Sequence, residues 1–253
     1  QYSIDPAEKS EILLPLLVSL TNHHEEKCDA YRKIRQVLGS SAPDSMEDVP
    51  YIPVALFKSH TLASVSSSDV VRVMTSSGTS GQLVSRIHLD KETAELQSRA
   101  LSSILKAVLG NERRPMLIID TESVIRNRNQ YSARTAGILG MYPFGRHHLF
   151  ALDDDMKLKY DEVSNFLNEH SGSSIVVFGF TFMVWKYLHR YLSEHGKALD
   201  LNNATLIHSG GWKALLNESV DNATFKVGLQ ESCGIDEVRN YYGMVEQTGS
   251  IFM

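Results

Sequence analysis

The sequence contains only two cysteines, Cys28 and Cys233, among its 253 residues. Two thiols are too few for a disulfide framework or a cysteine-rich metal site. Adjacent histidines occur at positions 23–24 and 147–148. The first two do not share a helix face, and the second two have no third ligand at a recognised spacing. The sequence therefore gives no indication of a metal centre built from cysteine and histidine.

A long apolar run and an excess of basic residues are also lacking. No segment reaches the roughly 20 apolar residues of a membrane span, and no signal peptide opens the sequence. The formal net charge is −5, whereas a nucleic-acid-binding surface is normally basic. We therefore expect no membrane span, no nucleic-acid partner and a cytoplasmic location.

Short apolar runs alternate with segments of helical periodicity through the second half of the sequence. The runs at 115–120, 149–152, 175–180 and 205–208 predict strands. This alternation is typical of an α/β fold with a largely parallel sheet flanked by helices. Asp120 ends the first of these strands, either as a site residue at the carboxyl edge of the sheet or as part of a turn.

The first 44 residues read as a helical segment. Asp5 and Pro6 form a helix start, and apolar residues follow at helical spacing. Pro15 predicts a kink or a break, and a second helix is expected over 25–38. A polar linker follows, so we predict an N-terminal segment over 1–44 and a core over 45–253.

Residues 70–81 (VVRVMTSSGTSG) are the central sequence feature of the predicted core. A β-branched run predicts a buried strand, and a loop of small hydroxyl residues and glycines can form an anion site, with phosphate as the natural ligand. This is not a P-loop, because Gly78 and Gly81 are too close and no lysine follows. Nor is it a nucleophile elbow, because Gln82 stands where glycine would be needed. A plain surface loop is the alternative.

Two further motifs lie downstream, at 207–212 (IHSGGW) and 241–249 (YYGMVEQTG). Together with the loop at 76–81, in this order, they resemble the phosphate loop, the Gly-Gly turn and the Y-G-x-x-E motif of the adenylate-forming (acyl-activating) superfamily. The sequences of the last motif and of residues 52–58 (IPVALFK) are most similar to LuxE-type acyl-protein synthetases of the bacterial fatty-acid reductase system. The resemblance runs from about residue 45 to the last residue.

The resemblance implies an enzyme that uses ATP and Mg²⁺. It implies catalytic roles for Glu246 and Thr248, with Glu246 as the metal ligand, and an acyl pocket lined by Phe178, Gly179 and Phe180. The implied cofactor-binding residues are Thr75, Ser76, Ser77, Gly78, Thr79, Ser80, Gly81, Ser209, Gly210, Gly211, Tyr241, Tyr242 and Gly243.

The sequence departs from the superfamily pattern at the phosphate loop. The lysine that usually ends the loop is replaced by Val84, which leaves Arg86 as a candidate cation or as a plain strand charge. Neither Cys28 nor Cys233 matches the late acceptor cysteine of LuxE-type enzymes. We expect the sequence to be the N-terminal core of a longer protein, without the C-terminal lobe and inactive alone.

The expected reaction is ATP-dependent activation of a long-chain fatty acid, or another carboxylic acid, as an acyl-adenylate, with transfer to a protein cysteine. An acyl reductase or a thiol-bearing acceptor protein would be the partner. Two alternatives stay open: a ligase for coenzyme A or a carrier protein, related to phenylacetate–CoA ligase, and a degenerate nucleotide-binding scaffold.

Overall fold

The chain folds into two units whose boundary falls inside one helix. The computed structural model describes residues 4–39, 41–76, 83–126, 133–248 and 251–253. One unit comprises Gln1–Ala100 and Met244–Ser250, and the other comprises Leu101–Gly243 and Ile251–Met253. The predicted division between residues 44 and 45 stays a prediction.

The first unit begins with helices. They are α1 (Pro6–Lys27), α2 (Asp29–Leu38) and the short α3 (Leu56–Ser59). The Asp5 carboxylate caps α1 by accepting the Ala7 N–H at 2.8 Å, which confirms the predicted start. The helix continues through Pro15 without the break that the sequence allowed. Proline removes one backbone donor, but its fixed φ is compatible with a helix.

The strand before the phosphate loop differs from the prediction. Strand β1 (Arg72–Thr75) pairs antiparallel with β2 (Arg86–Leu89) in a two-stranded ribbon. The prediction of a buried strand was wrong, because this ribbon leaves Val73 47% exposed. A β-branched run indicates a strand, but its burial depends on which elements cover it.

Helix α4 (Lys91–Leu109) leads into the second unit, where strands and helices alternate as predicted. Its strands are β3 (Arg114–Thr121), β4 (Gly145–Leu152), β5 (Ile175–Phe180), β6 (Ala204–Ser209) and β7 (Glu237–Tyr241). Its helices are α5 (Ser123–Arg126), α6 (Ala133–Met141), α7 (Tyr160–Glu169), α8 (Thr181–Met183), α9 (Tyr191–Glu194) and α10 (Asn222–Cys233). A π-helical segment, Val184–Arg190, joins α8 to α9, and 3-10 turns occupy Tyr142–Phe144 and Lys213–Glu218.

The five strands form one parallel sheet in the order β4-β3-β5-β6-β7. Alternate residues of each strand face opposite sides. Leu117 and Ile119 pack with α7, the π-helical segment and α10, whereas Met116 and Ile118 pack with α4 and α6. The predicted fold, a largely parallel sheet with helices on both faces, is therefore confirmed.

The strand order places a switch in winding direction between β3 and β5. From β3 the chain moves to β4 on one side, and from there it returns to β5 and continues to the other side. In open α/β sheets, ligands bind outside the carboxyl ends of the strands near such a switch. The carboxyl edge of β3, β5, β6 and β7 is therefore where a site is expected.

Candidate active site

Three strand ends meet in one row at the carboxyl edge of the sheet. Phe180, at the end of β5, is the register partner of Ser209, at the end of β6. Ser209 is in turn the partner of Tyr241, at the end of β7. The fold thus brings together residues from three separate sequence segments, among them two of the predicted nucleotide-binding residues.

The predicted Gly-Gly turn follows β6 directly. Gly210 has φ +82°, a left-handed conformation that favours glycine. A Cβ there would lie 3.0 Å from Cδ1 of Phe180. At Gly211, by contrast, a Cβ would meet no atom within 4 Å. The turn is therefore packed against β5 on one side and open at Gly211, where a flat ring could approach the backbone.

The two tyrosines after β7 differ in exposure. Tyr241 stacks on Phe178, with ring centroids 6.5 Å apart. Burial raises the pKa of the Tyr241 hydroxyl, and a hydrogen bond with Ser209 partly offsets this. Tyr242 is 60% exposed, while its backbone pairs with Phe252 through two hydrogen bonds of 2.8 Å. An exposed aromatic ring on a fixed backbone, followed by the exposed Gly243, suits stacking against an adenine.

The three predicted acyl-pocket residues lie in the interior of the second unit. Phe178 is fully buried, and Phe180 is almost so. A Cβ at Gly179 would lie 2.8 Å from Cγ2 of Val184 and 3.0 Å from Cβ of Ile119. Glycine is needed there because the π-helical segment passes close to the strand. The role of these residues as a pocket wall stays a prediction.

Thr181 and His208 form a buried polar pair behind the Gly-Gly turn. The Thr181 hydroxyl lies 2.9 Å from Nδ1 of His208 and donates to the Ser209 carbonyl at 3.1 Å. Burial, and secondarily the charge of Lys226, lowers the pKa of His208 to about 4. The imidazole is therefore neutral in the folded protein at neutral pH.

The low pKa of His208 predicts a loss of stability in mild acid. Between pH 6.5 and pH 4 the unfolded chain binds a proton on this residue and the folded chain does not, so the free energy of unfolding falls as the pH falls. We expect a contribution of about 2 kcal/mol between pH 7 and pH 5. Urea unfolding at both pH values checks this, and the His208→Asn variant should lack that part of the pH dependence.

An ion pair lies at the carboxyl end of β3, beside the winding switch. The Asp120 carboxylate is buried and accepts from two nitrogens of Arg134, with Nε at 2.9 Å. It also accepts the Thr121 N–H at 2.7 Å. The sequence suggested that Asp120 is either a site residue or part of a turn. The structure shows a third situation, an ion pair with Arg134 of α6. The hydrogen bonds with Asp120 raise the pKa of Arg134.

The predicted phosphate loop is described only at its start. Thr75 ends β1 and is exposed. Ser76 exchanges hydrogen bonds with Ser85, its N–H donating to the carbonyl at 3.2 Å and its Oγ accepting from the N–H at 2.9 Å. Arg86, the candidate cation, is exposed in β2. Five predicted phosphate-binding residues lie outside the described residues: Ser77, Gly78, Thr79, Ser80 and Gly81.

Glu246 and Thr248 belong to the first unit and lie in a turn, where the Gln247 N–H donates to the Met244 carbonyl at 3.0 Å. Both side chains are half-buried. Within the described ranges, no hydrogen bond or ion pair engages the Glu246 carboxylate, and no three acidic, histidine or cysteine residues cluster as a metal site. A single free carboxylate fits Mg²⁺, which keeps waters and takes its other ligands from phosphate oxygens.

Comparison with known proteins identifies the family. The family model described as "Acyl-protein synthetase, LuxE" matches residues 2–251. The chain belongs to this LuxE family. The resemblance found in the three motifs is thereby confirmed over almost the whole chain.

Two curated relatives of this LuxE-family chain are both named long-chain-fatty-acid–luciferin-component ligase. The Aliivibrio fischeri protein is 25% identical over 259 aligned positions, which cover 97% of this chain and 65% of that protein. The Vibrio harveyi protein is 22% identical over 266 positions, which cover 100% of this chain and 67% of that protein. The chain thus spans about two thirds of the length of these relatives.

A solved structure shows the same fold. It is 2-hydroxyisobutyryl-CoA ligase in complex with 2-HIB-AMP and CoA, with a TM-score of 0.64 and 16% identity. The match covers 97% of this chain and 51% of that one. The LuxE-family chain therefore has the fold of an adenylate-forming ligase, as the motifs implied. Among its described helices, none is both long and apolar enough to cross a membrane.

Both cysteines of the LuxE-family chain are buried. Burial raises the pKa of the Cys233 thiol to about 11, and the thiol donates to the Leu229 carbonyl at 3.1 Å. Thiolate is the reactive form. We therefore expect iodoacetamide at pH 7.5 to leave Cys233 unmodified in the folded protein and to alkylate it in urea, as measured by mass spectrometry. Rapid labelling without urea would contradict the burial.

Sequence reasoning did not assign a role to Thr181, His208 or Arg134. His208 lies within the quoted 207–212 motif, but a single histidine in an apolar strand gave no reason to single it out. Thr181 and Arg134 are 27 and 14 positions from their partners. Only the fold brings these groups into contact.

Proposed function

We propose that this LuxE-family chain activates a long-chain fatty acid with ATP and passes the acyl group to a cysteine thiol of a protein. The observation that carries this is the family match over residues 2–251. The names of the two relatives, both ligases for a long-chain fatty acid, support the substrate class. An acyl reductase or another thiol-bearing acceptor would be the partner. A thiol acceptor and free cysteines fit the reducing cytoplasm.

The first step would join the acid to the nucleotide. A carboxylate oxygen attacks the α-phosphorus of ATP, the bond from that phosphorus to the bridging oxygen breaks, and pyrophosphate leaves with the electron pair. Catalysis of such a transfer consists mostly of positioning and electrostatic stabilisation. Bound Mg²⁺ would neutralise phosphate charge, and Glu246 is the residue proposed to hold it.

In the second unit, the residues proposed to bind the nucleotide are Ser209, Gly210 and Gly211 at the Gly-Gly turn, and Tyr241, Tyr242 and Gly243 at the end of β7 and just after it. The open backbone at Gly211 and the exposed ring of Tyr242 leave room for an adenine. Thr75 and Ser76 would donate their hydroxyl hydrogens to the outer phosphates, and the rest of the loop would donate hydroxyl and backbone hydrogens. Thr248 would contact the phosphate or the acyl carboxylate.

The second step would release the nucleotide. A thiolate attacks the acyl carbonyl carbon, the bond to the phosphate oxygen breaks, and AMP leaves while a thioester forms. The acceptor thiol would come from outside the described residues, because Cys28 and Cys233 are both buried.

ATP–pyrophosphate exchange with a panel of carboxylic acids tests the first step in the full-length protein. We expect exchange that depends on a long-chain acid, and a hydroxamate of that acid when hydroxylamine is present. An absence of exchange with every acid, in a protein that is folded and binds ATP, would instead support the scaffold. Thioester formed on protein rather than on coenzyme A would separate the synthetase from the coenzyme A ligase.

A further inference from the structure

Three hydrogen-bonding groups connect the carboxyl ends of β5 and β6. Thr181 is the first residue after β5, and His208 and Ser209 are the last two residues of β6. The hydroxyl of Thr181 contacts Nδ1 of His208 at 2.9 Å and the carbonyl of Ser209 at 3.1 Å. His208 is 2% exposed and Thr181 7% exposed. Water therefore does not compete strongly for these hydrogen bonds.

The directions of the two hydrogen bonds follow from the chemistry of the groups. A carbonyl oxygen can only accept, so the single hydroxyl hydrogen of Thr181 points to Ser209. The hydroxyl oxygen must then accept from His208, which places the imidazole hydrogen on Nδ1. Nε2 of His208 is left as an acceptor, and it has no hydrogen-bond partner in the described part of the chain. The opposite tautomer would leave two lone pairs facing each other.

This chain of bonds fixes the peptide that enters the Gly-Gly turn. The carbonyl of Ser209 and the N–H of Gly210 belong to one planar group and point in opposite directions. Holding the carbonyl therefore aims the N–H. The ring of Phe180 lies against Gly210 on the β5 side, so the turn is supported both by packing and by a directed hydrogen bond.

We propose that His208 is a positioning residue, which acts through the Thr181 hydroxyl to orient the Ser209–Gly210 peptide and thereby sets the affinity of the turn for an adenine nucleotide. The nucleotide part rests on the proposed function. The orientation of the peptide is a property of the fold and can be measured without any ligand.

Two pairs of variants separate this role from simple packing. The side-chain nitrogen of asparagine lies close to Nδ1 of histidine, whereas that of glutamine lies close to Nε2. His208→Asn therefore keeps the donor to Thr181, and His208→Gln removes it. In the same way Thr181→Ser keeps the hydroxyl and Thr181→Val removes it.

The readout is the dissociation constant of Mg-ATP, measured by equilibrium dialysis with the full-length protein. We expect His208→Gln and Thr181→Val to raise the dissociation constant about tenfold. In His208→Asn and Thr181→Ser it should stay within about threefold of the wild-type value. The double variant of His208→Gln and Thr181→Val should bind no more weakly than Thr181→Val alone, because one break already interrupts the chain. The KM for the acid should not change.

Two outcomes would overturn the role. Binding kept by His208→Gln but lost by His208→Asn would mean that Nε2 is the important atom. Equal losses in all four variants, in step with their free energies of unfolding, would mean that the residues only fill space.

Nuclear magnetic resonance separates this role from the proposed function. Selective ¹⁵N labelling of histidine should show a proton on Nδ1 of His208, and the Gly210 amide signal should move in His208→Gln and not in His208→Asn. If the wild-type protein binds ATP but shows no pyrophosphate exchange, this result contradicts the proposed activation of an acid and leaves the positioning role of His208 intact. If ATP does not bind at all, the tautomer and the Gly210 amide still decide the positioning, and a proton on Nε2 would overturn it.

Discussion

Replacing Glu246 by glutamine is expected to lower acid-dependent ATP–pyrophosphate exchange roughly a hundredfold to a thousandfold. The side chain keeps its size and loses the charge that a hard cation requires. No described group competes for this carboxylate, so the charge is available for a metal. The measurement is the initial exchange rate of the full-length protein at saturating acid, over a range of Mg²⁺ concentrations.

The Mg²⁺ dependence distinguishes a metal ligand from a residue needed for folding. The Glu246→Gln variant should need a higher Mg²⁺ concentration for half-maximal exchange. Glu47→Gln makes the same change of charge at an exposed position of the same unit, and should behave as wild type. An unaltered Mg²⁺ requirement in Glu246→Gln would argue against metal binding by this residue.

Replacing Arg134 by methionine is expected to lower the free energy of unfolding of the second unit by about 3–5 kcal/mol at pH 7. The Asp120 side chain is 2% exposed and that of Arg134 28% exposed, so the variant buries a carboxylate with only the Thr121 N–H as a described partner. Urea unfolding followed by tryptophan fluorescence checks this. Trp185 and Trp212, the two tryptophans of the chain, both lie in this unit.

The ion pair has its own controls. Arg134→Lys keeps the charge but loses the planar fork that meets both carboxylate oxygens, and should have an intermediate stability. The double variant of Asp120→Asn and Arg134→Met should be more stable than Arg134→Met alone, since no unpaired charge remains. If Arg134→Met is as stable as wild type, the ion pair contributes little to the free energy of unfolding.

The sheet could be predicted from the sequence because its strands carry their signal locally. Residues 175–180 and 205–208 are short apolar runs, and the structure has strands at Ile175–Phe180 and Ala204–Ser209. Burial on both faces requires apolar residues throughout a strand, and that requirement is visible in the sequence. The motif residue Ser209, directly after the predicted strand 205–208, could be placed at the edge of the sheet for the same reason, whereas β7 (Glu237–Tyr241) is not an apolar run and was not predicted.

The environment of each strand and of each polar side chain could not be predicted. The run at 70–74 looks like the buried strands, yet within the described residues β1 pairs with β2 alone, and three of its four residues are exposed. Asp120 could be read equally as a ligand or as part of a turn, because Arg134 enters from a different helix. The tautomer of His208 in β6 is likewise decided by the hydroxyl of Thr181, which follows the neighbouring strand β5. Such contacts depend on the topology and not on the local sequence.

The order of the strands has a consequence for the rate of folding. Every pair of neighbouring strands in the five-stranded sheet joins residues at least 29 positions apart, and the paired residues of β5 and β6 are separated by this shortest distance in sequence. The entropy of closing each of these loops is lost before any pairing rewards it. The sheet should therefore form slowly and spend time with unpaired edges. Charged Glu237 and Arg239 on the edge strand β7 would discourage its pairing with another chain during that time.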